Sequence, residues 1–587
     1  MSIDISLYMT PTVDTKQWDS FWCDSLRLLQ KFPLKLVRES DYNSQHGIQK
    51  IWTNELTASD KNGEYWEIAG DAESLAFCES FRLYRNIEYY QRKWSRLTAN
   101  NPSLNNDPLF CSLQDYAGRG DIVALSGIHL LNGRTQGYPY HHALAAVASL
   151  AEHRFPIHAI AWGDLGPNGC YAVQHWLSSL YGETILSPIC LDAVRLWNRI
   201  EGVCSDVAVT TKRFEKYFLG SVTQCLHQMF AKSQETTMQT LAKKLLYYNS
   251  ITIGFAEQSK AFLAVTNDLD LLLDLIDLRN SLAQNGAMQK ETEPSIIKLE
   301  DVLMMLVMGY VTYSKSQKEN IHTLDRWLNM EGSAIQKINA TMIKMSLPIT
   351  FNYSCSEKDL LETFIRREPT KQTIFYQVYQ DSLKNAREKE GIINGFFQTI
   401  KTQADARMKA YTESKSKAKT FDSEENDTIT AVNDFEQFMD VEALIHSELK
   451  EPLSEVNVAV VGHYFGFHVR EMLRVAPNSR DAQWLYDPTG TKQRNVLMNI
   501  LRQNDVRLLK EAMLELEKTD DIEIIKMFAM ISPVVFVEQF RCSASAVFNE
   551  GFDLAWPTLW HILNKPTWWP TFREHRNDEI TNDDSET

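Results

Sequence analysis

DIVALSGIHLLNGRTQGYPYHHALAAVASLAEHRFPIHAIAWGDLGPNGCYAVQHWLSSLYGETILSPICLDAVRLWNRI, running from Asp121 to Ile200, is the stretch whose reading decides the fold. It passes three times through an apolar run, a turn and a helix. Asp121–His129 is rich in Ile, Val and Leu, and Pro139–His153 has helical periodicity. Ile157–Trp162 is a second short apolar run, followed by a helical pattern over Gly169–Tyr181. Thr184–Pro188 and Asp192–Ile200 supply a third pair. Runs of ~4–8 apolar residues alternating with helices of ~10–15 predict right-handed βαβ units and a parallel sheet. Such an architecture hosts many chemistries and names none of them.

Working outward, residues 1–107 read as a small α+β module. Trp18, Phe21, Trp22, Leu26 and Leu29 space an amphipathic helix over Asp14–Lys31, and Leu34–Glu39 reads as a strand. Asn62-Gly63 is a strong hairpin signal between Ile48–Leu56 and Glu64–Ile68. In Asp71–Trp94 the first half reads as helix and the second as strand. Residues 108–205 form the α/β block. A helical body follows over 206–401, with candidate helices at Thr211–Lys232, Thr236–Tyr248, Gln258–Leu282, Lys298–Tyr313 and His322–Met345. Within it Asp270, Asp274 and Asp277 fall on one helical stripe, opposite the apolar face of Leu269, Leu272, Leu273, Ile276 and Leu278, and read as a solvated face. Residues 402–433 make a charged linker, basic from Lys409 to Lys419 and acidic from Asp422 to Asp427. Residues 434–587 form a mainly helical, aromatic-rich region. The fold class is therefore α/β followed by mainly α.

The net charge of −16 argues against a general nucleic-acid binder and suits a basic protein partner. Nine scattered cysteines without a C-x-x-C pair fit reduced thiols better than disulfides or a zinc site. The first residues carry no basic region of the signal-peptide kind. The longest apolar run, Val302–Val311, is shorter than the ~20 residues a bilayer span needs. These readings place the protein in the cytoplasm and off the membrane, with no cofactor and no metal centre. They leave its oligomeric state open.

Six of the 14 histidines, His129, His141, His142, His153, His158 and His175, fall in the α/β block. Imidazole is suited to proton transfer near neutral pH, and Asp164 stands on a loop where it can orient one. Loops after parallel strands lie at the carboxyl edge, where open α/β sheets bind ligands. For an enzyme, the catalytic candidates are His129, His158, Asp164 and His175, in a hydrolase or phosphoryl-transfer site around His129 and Gly163-Asp164. Against that, Asp192 reads as an N-cap and Asp164 as a turn residue. No H-E-x-x-H or H-x-H spacing is present. Gly163-Asp-Leu-Gly166-Pro-Asn-Gly169 leads into a helix but matches no phosphate-loop pattern and carries no lysine. Asp487-Pro-Thr-Gly-Thr491 resembles the aspartate loop of haloacid dehalogenase-type hydrolases, yet Gln483–Tyr486 is short and polar for the buried strand that loop follows. D-P-T-G is also a good type I turn.

The chain closes on Trp556, Trp560, Trp568, Trp569 and Phe572, interleaved with proline. Two readings compete for these rings: docking onto their own helical domain, or a partner-binding patch, since Trp dominates interface hot spots. An acidic chain with an α/β head, a long helical body and no catalytic signature is similar to large adaptor, immunity or defence-accessory proteins. The sequence thus favours a non-enzymatic protein that engages another protein through its helical body and aromatic C-terminus.

Overall fold

A computed structural model of the chain describes residues 3–44, 47–99, 107–109, 127–248, 252–284, 296–310, 356–385, 507–519 and 558–577, with isolated positions among 441–502 and 521–528. The chain groups into two compact units, Met1–Ile189 with Phe438–Thr587, and Cys190–Gln437. A sheet-rich amino-terminal region is followed by mostly helices.

In the first unit, strand β1 (Asp4–Met9) alternates cleanly. Ile5, Leu7 and Met9 are fully buried, while Asp4, Ser6 and Tyr8 take the opposite face. After helix α1 (Thr15–Lys31) come β2 (Leu36–Ser44), β3 (Gly47–Thr53), β4 (Thr57–Asp60), β5 (Gly63–Asp71), β6 (Ala76–Tyr84) and helix α2 (Ile87–Ala99). Then follow β7 (Ile128–Arg134), α3 (Tyr140–Arg154), β8 (Ala159–Gly163) and α4 (Pro167–Tyr181). β1 lies between β7 and β8 and is antiparallel to both.

This arrangement corrects the expected parallel sheet of βαβ repeats. β7 and β8 do run parallel, joined by α3, but β1 separates them, and Thr184–Pro188 forms no strand. The reason is burial. α3 is buried over Tyr140–Glu152 and needs a wide apolar surface to pack on, which the Ile5, Leu7 and Met9 row of β1 helps to supply. The outer edge of β8 is closed by Glu152, whose buried carboxylate accepts Ala161 N–H at 2.6 Å and Ile189 N–H at 2.8 Å.

The second sheet has the order β4-β5-β2-β3-β9, where β9 is Leu508–Leu509, with β6 on β5. Its pairings are antiparallel except β3 with β9. The Asn62-Gly63 turn joins β4 to β5, with Asp60 opposite Gly63, and Gly63 takes a φ of +118°. Residues 71–94 reverse the expected order. The strand comes first because Phe81 and Leu83 alternate inward, and the helix second because Ile87, Tyr90 and Trp94 share one face. α1 is capped by Asp14, which accepts Lys16 N–H at 2.8 Å. It also anchors β6 through Trp18 and Trp22, whose indoles donate to Arg85 O and Leu83 O.

The second unit is helical among its described residues: α5 (Ala193–Glu201), α6 (Val207–Tyr217), α7 (Val222–Lys232), α8 (Gln234–Leu245), α9 (Ile253–Thr266), α10 (Leu269–Gln284), α11 (Leu299–Tyr310) and α12 (Glu357–Arg367). Asp192 caps α5 by accepting Arg195 N–H at 3.0 Å. Two long helices expected from the sequence are each broken. Ser221 starts α7 with a capping box, and Asn267, at φ +48°, ends α9 before α10 begins. Leu272, Leu273 and Ile276 join Phe255, Phe262, Leu303 and Phe364 in one core. The aspartate stripe is a solvated face, its side chains 52–53% exposed, and it is also ion-paired. Asp270 meets Arg366 at 2.6 Å, and Arg367 bridges Asp274 and Asp277. These pairs are half exposed, so each contributes about 0–1 kcal/mol. The linker 402–433 and the candidate helix His322–Met345 lie outside the described residues.

One buried acid yields a test. Asp71, at the end of β5, is fully buried, and its Oδ2 accepts Glu73 N–H at 3.1 Å and Ser74 N–H at 2.7 Å. Burial raises its pKa. A carboxyl with its folded pKa above its unfolded one stabilises the fold fully below the unfolded value of ~3.9 and loses that contribution as pH climbs through the folded value. Asp71→Asn is therefore expected to melt above the parent at pH 7, with the gap closing toward pH 3. Thermal melts across that range decide it, and a variant less stable than the parent at pH 7 refutes it.

Candidate functional site

The outward face of the β7-β1-β8 sheet carries side chains in cross-strand rows, because alternate residues of a strand share a face. Asp4 pairs with Arg134 of β7, Ser6 with Asn132 of β7 and Trp162 of β8, and Tyr8 with His129 of β7 and Ile160 of β8. A bulge between Leu7 and Tyr8 keeps His129 and Asn132 on this face although they are three residues apart. Where β7 and β8 reach their carboxyl ends, a cleft of about 360 Å³ opens. Its lining is Asp4, Ser6, Asn132, Gly133, Arg134, Trp162, Gly163 and Asp164, with Glu79 reaching in from β6.

The cleft is polar and its charges are partly paired. Asp164 Oδ2 accepts Asp4 N–H at 2.7 Å, and Asp164 N–H donates to Asp4 O at 2.8 Å, which ties the β8 loop to the start of β1. Glu79 Oε2 accepts Arg134 N–H at 2.9 Å, and Arg134 Nε stands 3.9 Å from Asp4 Oδ1. Ser6 Oγ donates to Asn132 Oδ1 at 2.9 Å. Three carboxylates and one guanidinium thus line the cleft together with the half-buried Trp162, and Glu79 and Asp164 are exposed there. Chemically this is a setting for a cationic group. Glycine shapes its floor: a Cβ on Gly163, at φ +115°, would meet Asp4 O at 2.5 Å, and one on Gly133 would meet Glu79 Oε2 at 2.6 Å.

The four catalytic candidates are not brought together. Asp164 is exposed at the cleft. His129 shares the face but sits two rows away, opposite Tyr8 rather than Asp4, ~13 Å along the strand. Its ring leans on Tyr8 at 4.3 Å, and partial burial lowers its pKa, against which a hydrogen bond to Asn132 works in the raising direction. His158 precedes β8 at the other edge of the sheet, ~20 Å from Asp164 along that strand. There its Nδ1 lies 3.1 Å from Thr10 Oγ1 and 3.3 Å from Thr12 Oγ1. His175 is exposed on α4. Among the described residues, no three His, Cys, Asp or Glu side chains are grouped to hold a metal ion.

Two rings of the aromatic close are core. Trp569 and Phe572 are buried with Leu559, Ile562 and Phe528, and Trp569 Nε1 donates to Ile562 O at 3.1 Å. Trp560 and Trp568 are partly buried against the same cluster. Trp556 and the Asp487–Thr491 turn lie outside the described residues. The cleft residues overlooked in the sequence were Asp4, Ser6, Glu79 and Trp162, while Asn132, Gly133 and Arg134 fall in the glycine-bearing stretch after the first expected strand. The alternation of Asp4–Met9 is the signal that identifies the first two.

Gly163→Ala is expected to cost on the order of 1–3 kcal/mol, since it combines a left-handed φ with a backbone clash. Gly166→Ala, with nothing within 4 Å of its Cβ, is expected to stay within about 0.5 kcal/mol of the parent. Urea melts of the two variants check this, and equal stabilities refute it. No protein-family model, no curated protein and no solved structure matches the chain.

Proposed function

We propose that the chain is a non-enzymatic cytoplasmic protein of the adaptor, immunity or defence-accessory type, and that it binds a basic protein partner. In this reading the open face of the β7-β1-β8 sheet receives a cationic side chain of that partner. The observation that carries it is that Asp4, Glu79 and Asp164 line one cleft together with Trp162. A cation entering there gains charge-assisted hydrogen bonds from carboxylates and the face of an aromatic ring. Trp, Tyr and Arg, which this face presents as Trp162, Tyr8 and Arg134, are the residue types that dominate interface hot spots. The overall charge of −16 steers such a partner toward the molecule.

The rival reading, a hydrolase or phosphoryl-transfer enzyme, requires an imidazole within hydrogen-bond reach of Asp164. His129 is hydrogen-bonded to Asn132 of the cleft wall but stands two rows from the Asp4 end where Asp164 lies, and His158 sits at the opposite edge, so neither imidazole supports it.

A tetra-arginine peptide is the probe. Calorimetric titration at low ionic strength is expected to give saturable binding to the full chain. The double variant Glu79→Gln, Asp164→Asn is expected to bind at least tenfold more weakly, because two charged acceptors worth about 1.5–3 kcal/mol each are neutralised. The amide oxygens introduced at positions 79 and 164 still accept the Arg134 and Asp4 backbone N–H groups, so the variant is expected to stay folded, which its melting curve checks. Unchanged affinity in the variant, or no binding by the parent, overturns the proposal.

A further inference from the structure

The two ends of the chain meet in the first unit, and the chemistry of their contact differs from that of the sheets on either side. We infer that the contact between the β2–β3 hairpin and residues 507–517 is a charge-latched seam, which opens locally as ionic strength rises and uncovers the outer edge of β3.

The backbone part of the seam is short. β9 pairs with β3 at two positions only, Ile51 with Leu508 and Trp52 with Leu509, and in the parallel sense, the weaker of the two ladder geometries. Around that bridge sit charged contacts from both ends of the chain. Glu39 Oε2 meets Arg507 Nε at 2.7 Å, Glu55 Oε1 meets Lys510 Nζ at 2.9 Å, and Tyr42 O–H donates to Glu517 Oε2 at 2.7 Å. Solvent reaches the ion pairs, with side-chain exposures of 27% and 32% for Glu39 and Arg507, and 70% and 44% for Glu55 and Lys510. The exposed Glu55–Lys510 pair is screened as the Debye length shrinks from ~10 Å at 0.1 M to ~3 Å at 1 M salt, and the partly buried Glu39–Arg507 pair is screened less.

The apolar part of the seam is divided in a way that favours local opening. Ile51 is buried in the carboxy-terminal cluster and resists separation. Trp52 is stacked on Phe77 of its own sheet at 4.5 Å, a contact it keeps when β9 departs, while it loses those with Arg507 and Leu509. Opening therefore leaves the antiparallel pairing of the hairpin intact, frees the backbone row facing β9, and is opposed by the burial of Ile51 and by the buried Gln49 Nε2–Met498 O hydrogen bond. An uncovered strand edge is a template for strand addition.

The test is amide hydrogen exchange on the full chain at 0.05 M and 0.5 M NaCl. Peptides covering 47–53 and 507–517 are expected to exchange about tenfold faster at the higher salt, while β1 is unchanged. At low salt Lys510→Glu should reproduce the acceleration in the same peptides, and Lys510→Glu combined with Glu55→Lys should reverse it. Salt-independent exchange in 47–53, equal acceleration in β1, or a double variant no slower than the single one overturns the inference. The salt comparison on the parent stands even where the single variant does not fold.

Discussion

Both edges of β1 are satisfied by antiparallel neighbours, and that double pairing organises the amino-terminal half of the molecule. Six residues with perfect alternation present one apolar row to α3 and one polar row outward. Without the apolar row, β7 and β8 would stand apart with α3 partly uncovered. Without the polar row, the cleft would lose Asp4 and Ser6. One short segment thus settles packing on one side and chemistry on the other, because side chains along a strand divide with a period of two.

Much of this was legible in the sequence, and the misses have physical causes. Helix termini were readable where a side chain caps them, as at Asp14 and Asp192, since the cap is a local interaction. The turn at Asn62-Gly63 was readable because a positive φ demands glycine. What escaped was pairing at long range. β1 reaches partners about 125 and 155 residues away, and no local pattern states which strand will enter a gap. The βαβ signal matched α3 and β8, but its first strand, Asp121–His129, shares only Ile128 and His129 with β7, and it was silent about the strand between. The order of strand and helix in 71–94 was misread because Phe81, Leu83, Ile87, Tyr90 and Trp94 satisfy two periods at once until register is known.

The candidate site was half legible for the same reason. Carboxyl-edge loops after β7 and β8 pointed to Gly163 and Asp164, and both line the cleft. The histidines were numerous but their count carried no geometry. His129 stands opposite Tyr8, and His158 sits between two threonine hydroxyls at the far edge. The aromatic close drew attention for the same compositional reason, and Trp569 and Phe572 are spent on core. Rings crowd where apolar volume is needed, and composition alone does not separate that use from contact with a partner.

The meeting of the chain's ends also bears on how the protein is made. Ile51 shares its core with Leu508, Leu559 and Phe572, so the first unit cannot complete its packing until nearly the whole chain has left the ribosome. During that interval β3 has one unfilled side, and the helices of the second unit, whose contacts are nearer in sequence, have a head start. Slow closure of distant contacts after faster local folding makes the amino-terminal hairpin the segment most exposed to chaperones and to mispairing during synthesis.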